Sequence, residues 1–386
     1  MKMVVGIEAS RNRSGGARAH LIGILECFDE KFLENHIKEV HVWSYSDLLC
    51  RLPEKKWLIK HTVKASEKSI LHQLWWQYKK LPIELNENNV DILLNTDASS
   101  ICSFKPAITM SRDMLSYEKG EMKRFGISFQ RLRLLILKYV QNYSLKKSTA
   151  TIFLTNYASE TIQKSAGEIK EIKVIPHGVS ENFRIITNDG IWDDNSKIKC
   201  IYVSNVEFYK HNWNVALAIS NLRNKGYNIS IDFVGGGSGK AQKHFNHVIS
   251  QIEESEHFIK QHEFIDHNKL PFLYKDKDII VFASSCENMP NTLIEGMCTG
   301  LPIACSSRGP MPEVLKNGGI YFDPENISSI ENSILQIIEE KDLRRNISII
   351  SKESSKQYSW TRCSYETFLY IIQVFEVANN KQTIQK

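Results

Sequence analysis

The 386-residue sequence has no run of about 20 apolar residues, the length that a membrane-spanning helix requires, so no such helix is expected. The charged Glu8 follows the opening MKMVVGI too soon for a signal peptide, and MVVGIEA is predicted to be a first strand. The eight cysteines lack metal-ligand spacing, which argues against a zinc site and favours free thiols in a reducing, cytoplasmic compartment. The formal net charge of +5 is mild for this length and gives no reason to expect a nucleic-acid partner. No internal repeat or low-complexity tract is present.

Hydrophobic residues make up 42% of the chain and charged residues 24%, as in ordinary globular proteins, and the length allows two or three domains. Short apolar runs alternate with amphipathic segments, which predicts an α/β fold. The first unit is the strand MVVGIEA, a loop with Gly15 and Gly16, and the helical ARAHLIGILECF. Paired glycines allow a backbone to approach a ligand closely, although a tight turn without a ligand explains this spacing equally well. The third glycine of the dinucleotide-binding fingerprint is absent.

The most informative stretch runs from residue 278 to residue 306. DIIVFAS is predicted to be a buried strand, and Pro290 suits the first turn of a helix, where its missing N–H is not needed. Residues 291–299 are predicted to form a short helix that ends at Gly300 in the left-handed conformation. LPIACS is then the next strand, so the stretch is a strand–loop–helix–strand unit.

This unit carries two acids, Glu287 in the loop and Glu295 on the helix. Helical side chains lean toward the N-terminus, so Glu295 is predicted to point toward the loop that holds Glu287, at the carboxyl edge of the sheet. Backbone amides at Asn291, Thr292 and Leu293 are expected to be free for an anion. Such a site suits a ligand with phosphates at one end, for the amides, and hydroxyl groups at the other, for the acids. A nucleotide sugar is a ligand of this kind. The alternative is that both glutamates are solvated surface charges.

The string ENMPNTLIEGMCTGLPI, residues 287–303, resembles the retaining glycosyltransferases of family 4, group 1 glycosyltransferases with the GT-B fold. Their signature is a glutamate, seven residues, a second glutamate, and a turn with Gly and Pro into a strand. Supporting motifs run from Gly15 to YSW at 358–360. The resemblance implies two doubly wound, Rossmann-like domains facing across a cleft. Its expected parts are an acceptor-side domain (1–180), a linker (181–197), a nucleotide-sugar-binding domain (198–362) and a helix crossing back to the first domain (363–380).

The same resemblance implies site residues. Glu287 matches the acid that contacts the sugar beside the reacting carbon, and Glu295 matches the ribose ligand. Lys210 holds the place of a lysine that clamps the diphosphate, although a lone loop lysine is ordinarily just solvated. The remaining donor-binding residues implied are Gly15, Gly16, Asn205, Gly235, Asn288, Met289, Pro290, Asn291, Thr292 and Leu293.

Three positions depart from the family pattern. Asn205 stands where the family has a second phosphate-clamping cation, and Glu263 stands where a glycine is usual in the segment that frames the base. Arg112, after the strand PAITM, replaces a histidine that touches the donor sugar. We expect Arg112 to act in catalysis by meeting phosphate or an acidic acceptor, with a structural salt bridge as the alternative. Arg11 and Arg13 are further candidates to compensate phosphate charge.

Residues 119–147 are predicted to form one long helix with eight basic residues and an apolar side. We expect the apolar side to pack on the sheet, with the basic residues solvated. Docking on anionic lipid is the alternative, and the two can coexist. The neighbouring aromatics Trp75 and Trp76 are expected to pack between the domain and its surface.

Taken with the resemblance, the sequence predicts a retaining hexosyltransferase that needs no metal or cofactor. The donor is a nucleotide sugar, with GDP-mannose favoured over a UDP-hexose. The expected acceptor is a lipid-linked saccharide in surface-polysaccharide (O-antigen-like) synthesis, reached from the cytoplasm at the inner membrane face. A nucleotide-sugar epimerase of the same fold and a non-catalytic nucleotide-sugar-binding partner remain alternatives.

Overall fold

The computed structural model describes residues 2–185, 197–252 and 258–384. The chain divides into two compact units, one formed by Met1–Gly178 with Ser359–Lys386 and the other by Val179–Tyr358. Most of the linker expected at 181–197 lies outside the described residues. The domain boundaries expected at residues 180 and 362 remain predictions.

The first unit is built on a parallel sheet of seven strands in the order β3-β2-β1-β4-β5-β6-β7. Its central strands are buried on both faces, which explains why they are continuous apolar runs rather than alternating ones. The expected strands MVVGIEA, EVHVWS and DILLN are confirmed within one or two residues at each end. The strands are β1 (Met3–Glu8), β2 (Ile37–Ser44), β3 (Leu58–Thr62), β4 (Ile92–Asn95), β5 (Ala107–Met110), β6 (Ala150–Phe153) and β7 (Ile172–Val174).

Seven helices connect these strands. The chain moves outward from β1 to β3, returns past β1 to β4 and continues to β7. Right-handed crossovers therefore place α1 to α3 on one face of the sheet and α4 to α7 on the other. The helices are α1 (Gly15–Glu26), α2 (Lys31–Asn35), α3 (Ser46–Leu49), α4 (Ile70–Trp75), α5 (Leu81–Glu87), α6 (Phe129–Lys147) and α7 (Asn156–Ala166), with a π-helical turn, Trp76–Lys80, between α4 and α5.

Two local predictions for this unit are wrong. Gly15 and Gly16 are not in a loop but open α1, because the Ser14 side chain caps the helix by accepting from the Ala17 N–H. The helix expected over residues 119–147 is two elements. A 3-10 turn ends at Gly126, whose φ of +56° interrupts the helical path, and α6 begins only at Phe129 after the Ser128 cap.

The last helix, α15 (Trp360–Ile384), belongs to the first unit and packs on α1. Gly23 of α1 lies against the Trp360 ring so closely that a Cβ at this position would overlap the ring. The Ser364 hydroxyl donates to the Ile24 carbonyl at 2.6 Å, and the rings of Phe28 and Phe368 meet edge to face at 4.6 Å. Residues far apart in sequence therefore share one core.

The second unit has a parallel sheet of six strands in the order β10-β9-β8-β11-β12-β13. Its strands are β8 (Ile198–Val203), β9 (Ile229–Val234), β10 (Ile259–His262), β11 (Ile279–Phe282), β12 (Ile303–Ser306) and β13 (Ile320–Phe322). Its helices are α8 (Asn212–Asn224), α9 (Gly239–Ile252), α10 (Leu270–Tyr274), α11 (Asn291–Thr299), α12 (Met311–Leu315), α13 (Ile327–Glu339) and α14 (Lys341–Ser355). The predicted helix at 291–299 and its left-handed stop at Gly300, with φ of +76°, are confirmed.

Candidate functional site

The loops that follow β8, β9, β10 and β11 meet at the carboxyl edge of the second sheet, because all of these strands are parallel. A groove of about 770 Å³ lies among the first three of these loops. Its walls are glycine backbone, carboxylates and neutral amides, a surface that offers both donors and acceptors of hydrogen bonds. The groove is lined by Asn205, Glu207, Gly236, Gly237, Ser238, Gln242, Asn246, Gln261, Glu263 and Phe264.

The structure brings together Lys210 and Glu287, which the sequence had assigned separately to the site. Lys210 ends a 3-10 turn before α8, and its ammonium pairs with the Glu287 carboxylate in the loop after β11. Only 13% and 16% of the two side chains are exposed. The Lys210 ammonium also lies 5.7 Å from the ring centre of Phe282, within reach of a cation–π contact. Two opposite charges are thus held in a largely dry position beside the groove-lining loop.

Backbone and side-chain hydrogen bonds tie these two loops to each other. The Ser285 N–H donates to the Tyr209 carbonyl at 2.8 Å, and the His211 Nε2 atom lies 3.0 Å from the Ser285 hydroxyl. His211 has a φ of +51°, the left-handed conformation that turns the chain from the 3-10 turn into α8. The Tyr202 hydroxyl donates to the Lys210 carbonyl at 2.8 Å. The position of Lys210 is therefore fixed from several sides before any ligand binds.

Glu295 pairs with a different partner. Its Oε1 atom lies 2.7 Å from Nε2 of His267, which raises the pKa of that histidine, and the carboxylate is almost fully buried. The Oε2 atom is buried and has no hydrogen-bond partner in the described part of the chain. A buried carboxylate oxygen without a donor is costly.

The N-terminus of α11 differs from the sequence prediction. Pro290 is not inside the first turn but is the N-cap residue, with φ of −81° and ψ of 75°. The N–H of Asn291 donates to the Met289 carbonyl and that of Leu293 to the Pro290 carbonyl, both at 3.0 Å. The expectation of free amides at these two positions is therefore wrong, because the tight turn before the helix uses them. Within the described residues, the Thr292 N–H makes no such backbone hydrogen bond.

Gly235 is required by the fold itself. Its φ is +131°, and a Cβ at this position would overlap the carbonyl oxygen of Ser204 at the end of the neighbouring strand. Its N–H donates to the His262 carbonyl at 3.0 Å, so it joins the loops after β8, β9 and β10. Gly235 therefore has a structural role at the carboxyl edge of the sheet that does not depend on contact with a ligand.

The first unit has its own polar cluster at the carboxyl edge of β1. Glu8 is fully buried, and burial raises the pKa of its carboxyl group. Its Oε1 atom accepts from the Ser10 N–H at 2.9 Å and from the Ser10 hydroxyl, and its Oε2 accepts from Gln77 at 3.2 Å. Gln73 donates to the Ser10 hydroxyl at 2.9 Å. Because Gln73 and Gln77 lie more than 60 residues away, nothing in the local sequence indicated this cluster.

Arg112 lies at the carboxyl edge of β5 in the same unit. Its Nη2 donates to the Asn12 side-chain oxygen at 2.6 Å, whereas Nε and Nη1 have no hydrogen-bond partner within the described residues. Burial lowers the pKa of its guanidinium group. Arg11 and Arg13, which the sequence suggested for phosphate, donate instead to the Ser99 and Ser66 carbonyls of their own unit. Arg112 keeps unused donors, but Arg11 and Arg13 brace loops.

Sequence reasoning identified Glu287, Glu295 and Lys210 but gave no indication of His267, the partner of Glu295, or of the groove residues Glu207 and Gln261. His267 is 28 residues before Glu295, and only the meeting of two loops at one sheet edge makes them neighbours. The one available signal was the position of each residue a few places after a predicted strand.

The two parallel sheets with flanking helices and the polar carboxyl edges define a two-unit α/β protein of the GT-B type. Comparison with known proteins agrees with this class. Residues 189–354, less than half of the chain, match the family model of "Glycosyl transferases group 1". The matched residues lie within the second unit.

Curated relatives match parts of the chain. "O-antigen chain mannosyltransferase B" of Escherichia coli is 29% identical over 112 residues, which is 29% of this chain and 29% of the relative. "Protein CapJ" of Staphylococcus aureus is 23% identical over 257 residues, 66% of this chain and 63% of the relative. The chain thus spans less than two thirds of the length of either protein.

Solved structures share the fold over nearly the whole chain. Sucrose-phosphate synthase from Thermosynechococcus elongatus superposes with a TM-score of 0.76 at 13% identity, covering 97% of this chain and all of that one. HepE from Anabaena, solved in complex with UDP and glucose, gives a TM-score of 0.67 at 17% identity, covering 99% of this chain and all of that one. At these identities the likeness establishes the fold alone. No helix within the described residues has the length and apolarity to cross a membrane.

Proposed function

We propose that this protein is a retaining glycosyltransferase that moves a hexose from a nucleotide sugar to a hydroxyl group of a lipid-linked saccharide. The observation that carries the proposal is the Lys210–Glu287 pair, held largely dry in the loops at the carboxyl edge of the second sheet. A buried charge pair costs desolvation energy, so its placement at the sheet edge where parallel α/β domains bind ligands favours a catalytic role over a purely structural one. The group 1 domain match over the same residues supports this assignment.

In this proposal the second unit binds the donor and the first unit binds the acceptor. The bond between the anomeric carbon and the diphosphate oxygen breaks, and its electron pair leaves with the nucleoside diphosphate. The acceptor oxygen forms a new bond to the same face of that carbon, and its proton passes to the departing diphosphate. Lys210 stabilises the charge that develops on the diphosphate, while Glu287 orients the sugar. Glu295 accepts from the ribose hydroxyls through its unpartnered Oε2. No step calls for a metal or a cofactor.

Arg112 has a part in the same scheme. Arg112 has two guanidinium nitrogens without partners among the described residues, and an anion is the natural acceptor for them. We therefore assign it to a phosphate or another acidic group of the acceptor, which the first unit binds in this proposal. The first turn of α1, with Gly15 open to solvent, is the backbone surface that we assign to the same ligand.

The donor base that this groove favours is guanine, which makes GDP-mannose the preferred donor. Glu263 is exposed at the groove and has no hydrogen-bond partner within the described chain. Guanine presents two adjacent N–H donors, from N1 and the 2-amino group, which a carboxylate can accept together. Uracil presents one N–H between two carbonyl oxygens, which a carboxylate repels. Phe264, 87% exposed at the rim, offers an aromatic face to either base.

The name of one relative supports the lipid-linked acceptor and the polysaccharide pathway. One relative is named an O-antigen chain mannosyltransferase, and it matches 29% of this chain. The basic helix α6 would hold the enzyme on anionic lipid at the cytoplasmic face of the membrane, where a lipid-linked saccharide is accessible.

A calorimetric titration with GDP, IDP and UDP tests the donor site. We expect GDP to bind most tightly and IDP, which lacks the 2-amino group, about tenfold more weakly, the order of one charge-assisted hydrogen bond. Glu263→Gln should weaken GDP binding more than UDP binding. Tighter binding of UDP would overturn guanine selection while leaving the transferase intact. If no nucleotide binds, the proposed function itself fails, and conversion of a GDP-sugar without acceptor would identify an epimerase instead.

A further inference from the structure

The segment comprising residues 69–80, formed by α4 and the π-helical turn after it, exposes a row of large apolar side chains. Leu71 is 73% exposed, Trp75 55%, Tyr78 53% and Ile70 51%. Trp75 and Trp76 were expected to pack alike, but only Trp76 is buried, at 3% exposure. A spacing of four residues places Leu71 and Trp75 on one side of α4, and Tyr78 is exposed in the π-helical turn that follows. Such a row on a soluble domain indicates a surface that something else covers.

The opposite side of this segment holds the buried cluster of the first unit. Gln73 donates to the Ser10 hydroxyl at 2.9 Å, and Gln77 donates to the Glu8 carboxylate at 3.2 Å. Both glutamines are buried. The same segment therefore carries the exposed apolar row on its outer side and contacts the carboxyl edge of β1 with its inner side.

Charge identifies what covers the row. Lys79 and Lys80 lie within 4.8 and 5.4 Å of the ring centres of Tyr78 and Trp75, so each exposed ring has an ammonium group beside it. Both flanking acids have hydrogen-bond donors: Glu67, two residues before the segment, accepts from the Ser46 hydroxyl, and Glu84, four residues after it, accepts from the buried Trp76, each at 3.1 Å. Exposed Trp and Tyr rings with flanking lysines are the composition of segments that lie in the headgroup region of an anionic bilayer.

Helix α6, on the same face of the first sheet, has a matching surface. Its apolar side was expected to pack on the sheet, and this is wrong for five residues spaced by three and four. They are Phe129 at 82% exposure, Leu132 at 53%, Ile136 at 57%, Tyr139 at 74% and Tyr143 at 61%.

The charge of α6 distinguishes between possible occupants. The sequence from 127 to 149 contains no acidic residue, while five lysines and arginines lie within the helix. Two copies of this chain meeting through α6 would bring like charges together, which disfavours a homodimer. An anionic lipid surface is complementary to both the apolar stripe and the basic residues.

We propose that the 69–80 segment docks on an anionic bilayer together with α6, and that docking stabilises the Glu8–Ser10 cluster through Gln73 and Gln77. The apolar row enters the headgroup region, and the lysines contact lipid phosphates. Because the same short segment bears both surfaces, immobilising its outer side restricts its inner side. Neither the docking nor its effect on the Glu8–Ser10 cluster rests on the proposed transferase function.

Vesicle flotation of the full chain tests the docking. We expect binding to vesicles of phosphatidylcholine with phosphatidylglycerol and little binding to phosphatidylcholine alone. The double variant Leu71→Ser/Trp75→Ser should bind at least about tenfold more weakly, because two large apolar groups are lost from the interface. Unchanged binding of this variant, or no binding by the wild type, would overturn the proposal. A dimer of the wild type that this variant abolishes would overturn it too, in favour of a second copy as the occupant.

Adjacent tryptophans supply a matched control. Quenching of tryptophan fluorescence by brominated lipid should fall in Trp75→Phe and persist in Trp76→Phe, since only Trp75 faces outward. Equal quenching in both variants would contradict the assigned orientation.

Hydrogen exchange tests the coupling without any activity assay. Anionic vesicles should slow exchange of the Ser10 N–H, which is bonded to Glu8, in the wild type. In the double variant Gln73→Met/Gln77→Met, vesicles should no longer slow this exchange, although the variant still binds them. If the double variant does not fold, the single variant Gln73→Met is measured in its place. Exchange that vesicles leave unchanged in the wild type refutes the coupling. Transfer from a nucleotide sugar by a protein that binds no vesicles would refute the docking but not the transferase function.

Discussion

Replacing Lys210 by methionine removes the ammonium group beside Glu287 and keeps a side chain of similar length against the Phe282 ring. The expected loss is therefore electrostatic rather than one of packing. Removing one partner of a buried charge pair costs about 3–5 kcal/mol. Because the Glu287 side chain retains 16% exposure at the edge of the sheet, water can reach it, and we expect about 1–2 kcal/mol of lost stability.

Turnover should respond more strongly than stability. If Lys210 neutralises the leaving diphosphate and Glu287 orients the sugar, losing either should lower turnover by at least about 100-fold, equivalent to about 2.7 kcal/mol. The turnover of Glu287→Ala and of Glu287→Gln should therefore be as low as that of Lys210→Met, while both variants remain folded. The double variant Lys210→Met/Glu287→Gln leaves no unpaired charge, so its stability should return close to that of the wild type. Its turnover should stay low.

The Lys225–Glu331 pair in the same unit is a control for loss of a structural ion pair, because Glu331 is 6% exposed and the pair joins two elements, although Lys225 itself is 55% exposed. Lys225→Met should reduce the free energy of unfolding and leave turnover within about twofold. The assay is steady-state transfer from a GDP-sugar, with chemical unfolding measured on the same preparations. Near-normal turnover in Glu287→Gln, or a double variant whose activity recovers with its stability, would refute the catalytic assignment of the pair.

Three further outcomes are expected. Glu295→Ala should weaken GDP binding about tenfold by calorimetry, because the ribose loses a carboxylate acceptor; an unchanged dissociation constant would remove it from that role. Gly235→Ala should cost about 2 kcal/mol or more because its Cβ meets backbone at positive φ, whereas Gly236→Ala, with open space around it, should cost under about 1 kcal/mol; equal losses would contradict this. Burial lowers the pKa of His61 to about 4, with the charge of His41 adding to the effect. Because the folded-state pKa lies below the unfolded value, stability should decline as pH falls from about 6.5 toward 4, by up to about 3 kcal/mol and less where water reaches the ring. His61→Gln should flatten this decline in urea titrations across pH, and an unchanged slope would contradict the assignment.

Some of the fold followed from local pattern. Strand β1, strand β4 and helix α11 lie where apolar runs and caps predicted them, because hydrogen bonds and side-chain periodicity within ten residues decide such elements. The stop at Gly300 follows from one residue's freedom at positive φ. The two acids of α11 and its preceding loop were identified from spacing and resemblance alone.

Other predictions were wrong because they depended on which parts of the chain pack against a given surface, and local sequence does not contain that information. The heptad-like apolar spacing of α6 shows that one side of the helix is apolar, but not whether the sheet or the exterior covers it. In the structure Leu134 and Leu145 face inward and Phe129 faces outward. Similarly, a glycine pair after a strand indicates a turn, but the hydroxyl of Ser14 decides that the helix begins at Gly15.

By itself the sequence determined the alternation of strands and helices, the location of the two glutamates, and the left-handed stop at Gly300. Only the tertiary structure decided the partners: Glu287 with Lys210, 77 residues away, and Glu295 with His267. The reason is physical. Periodicity and capping act over a few residues, whereas charge pairing and burial depend on which loops a parallel sheet brings to the same edge.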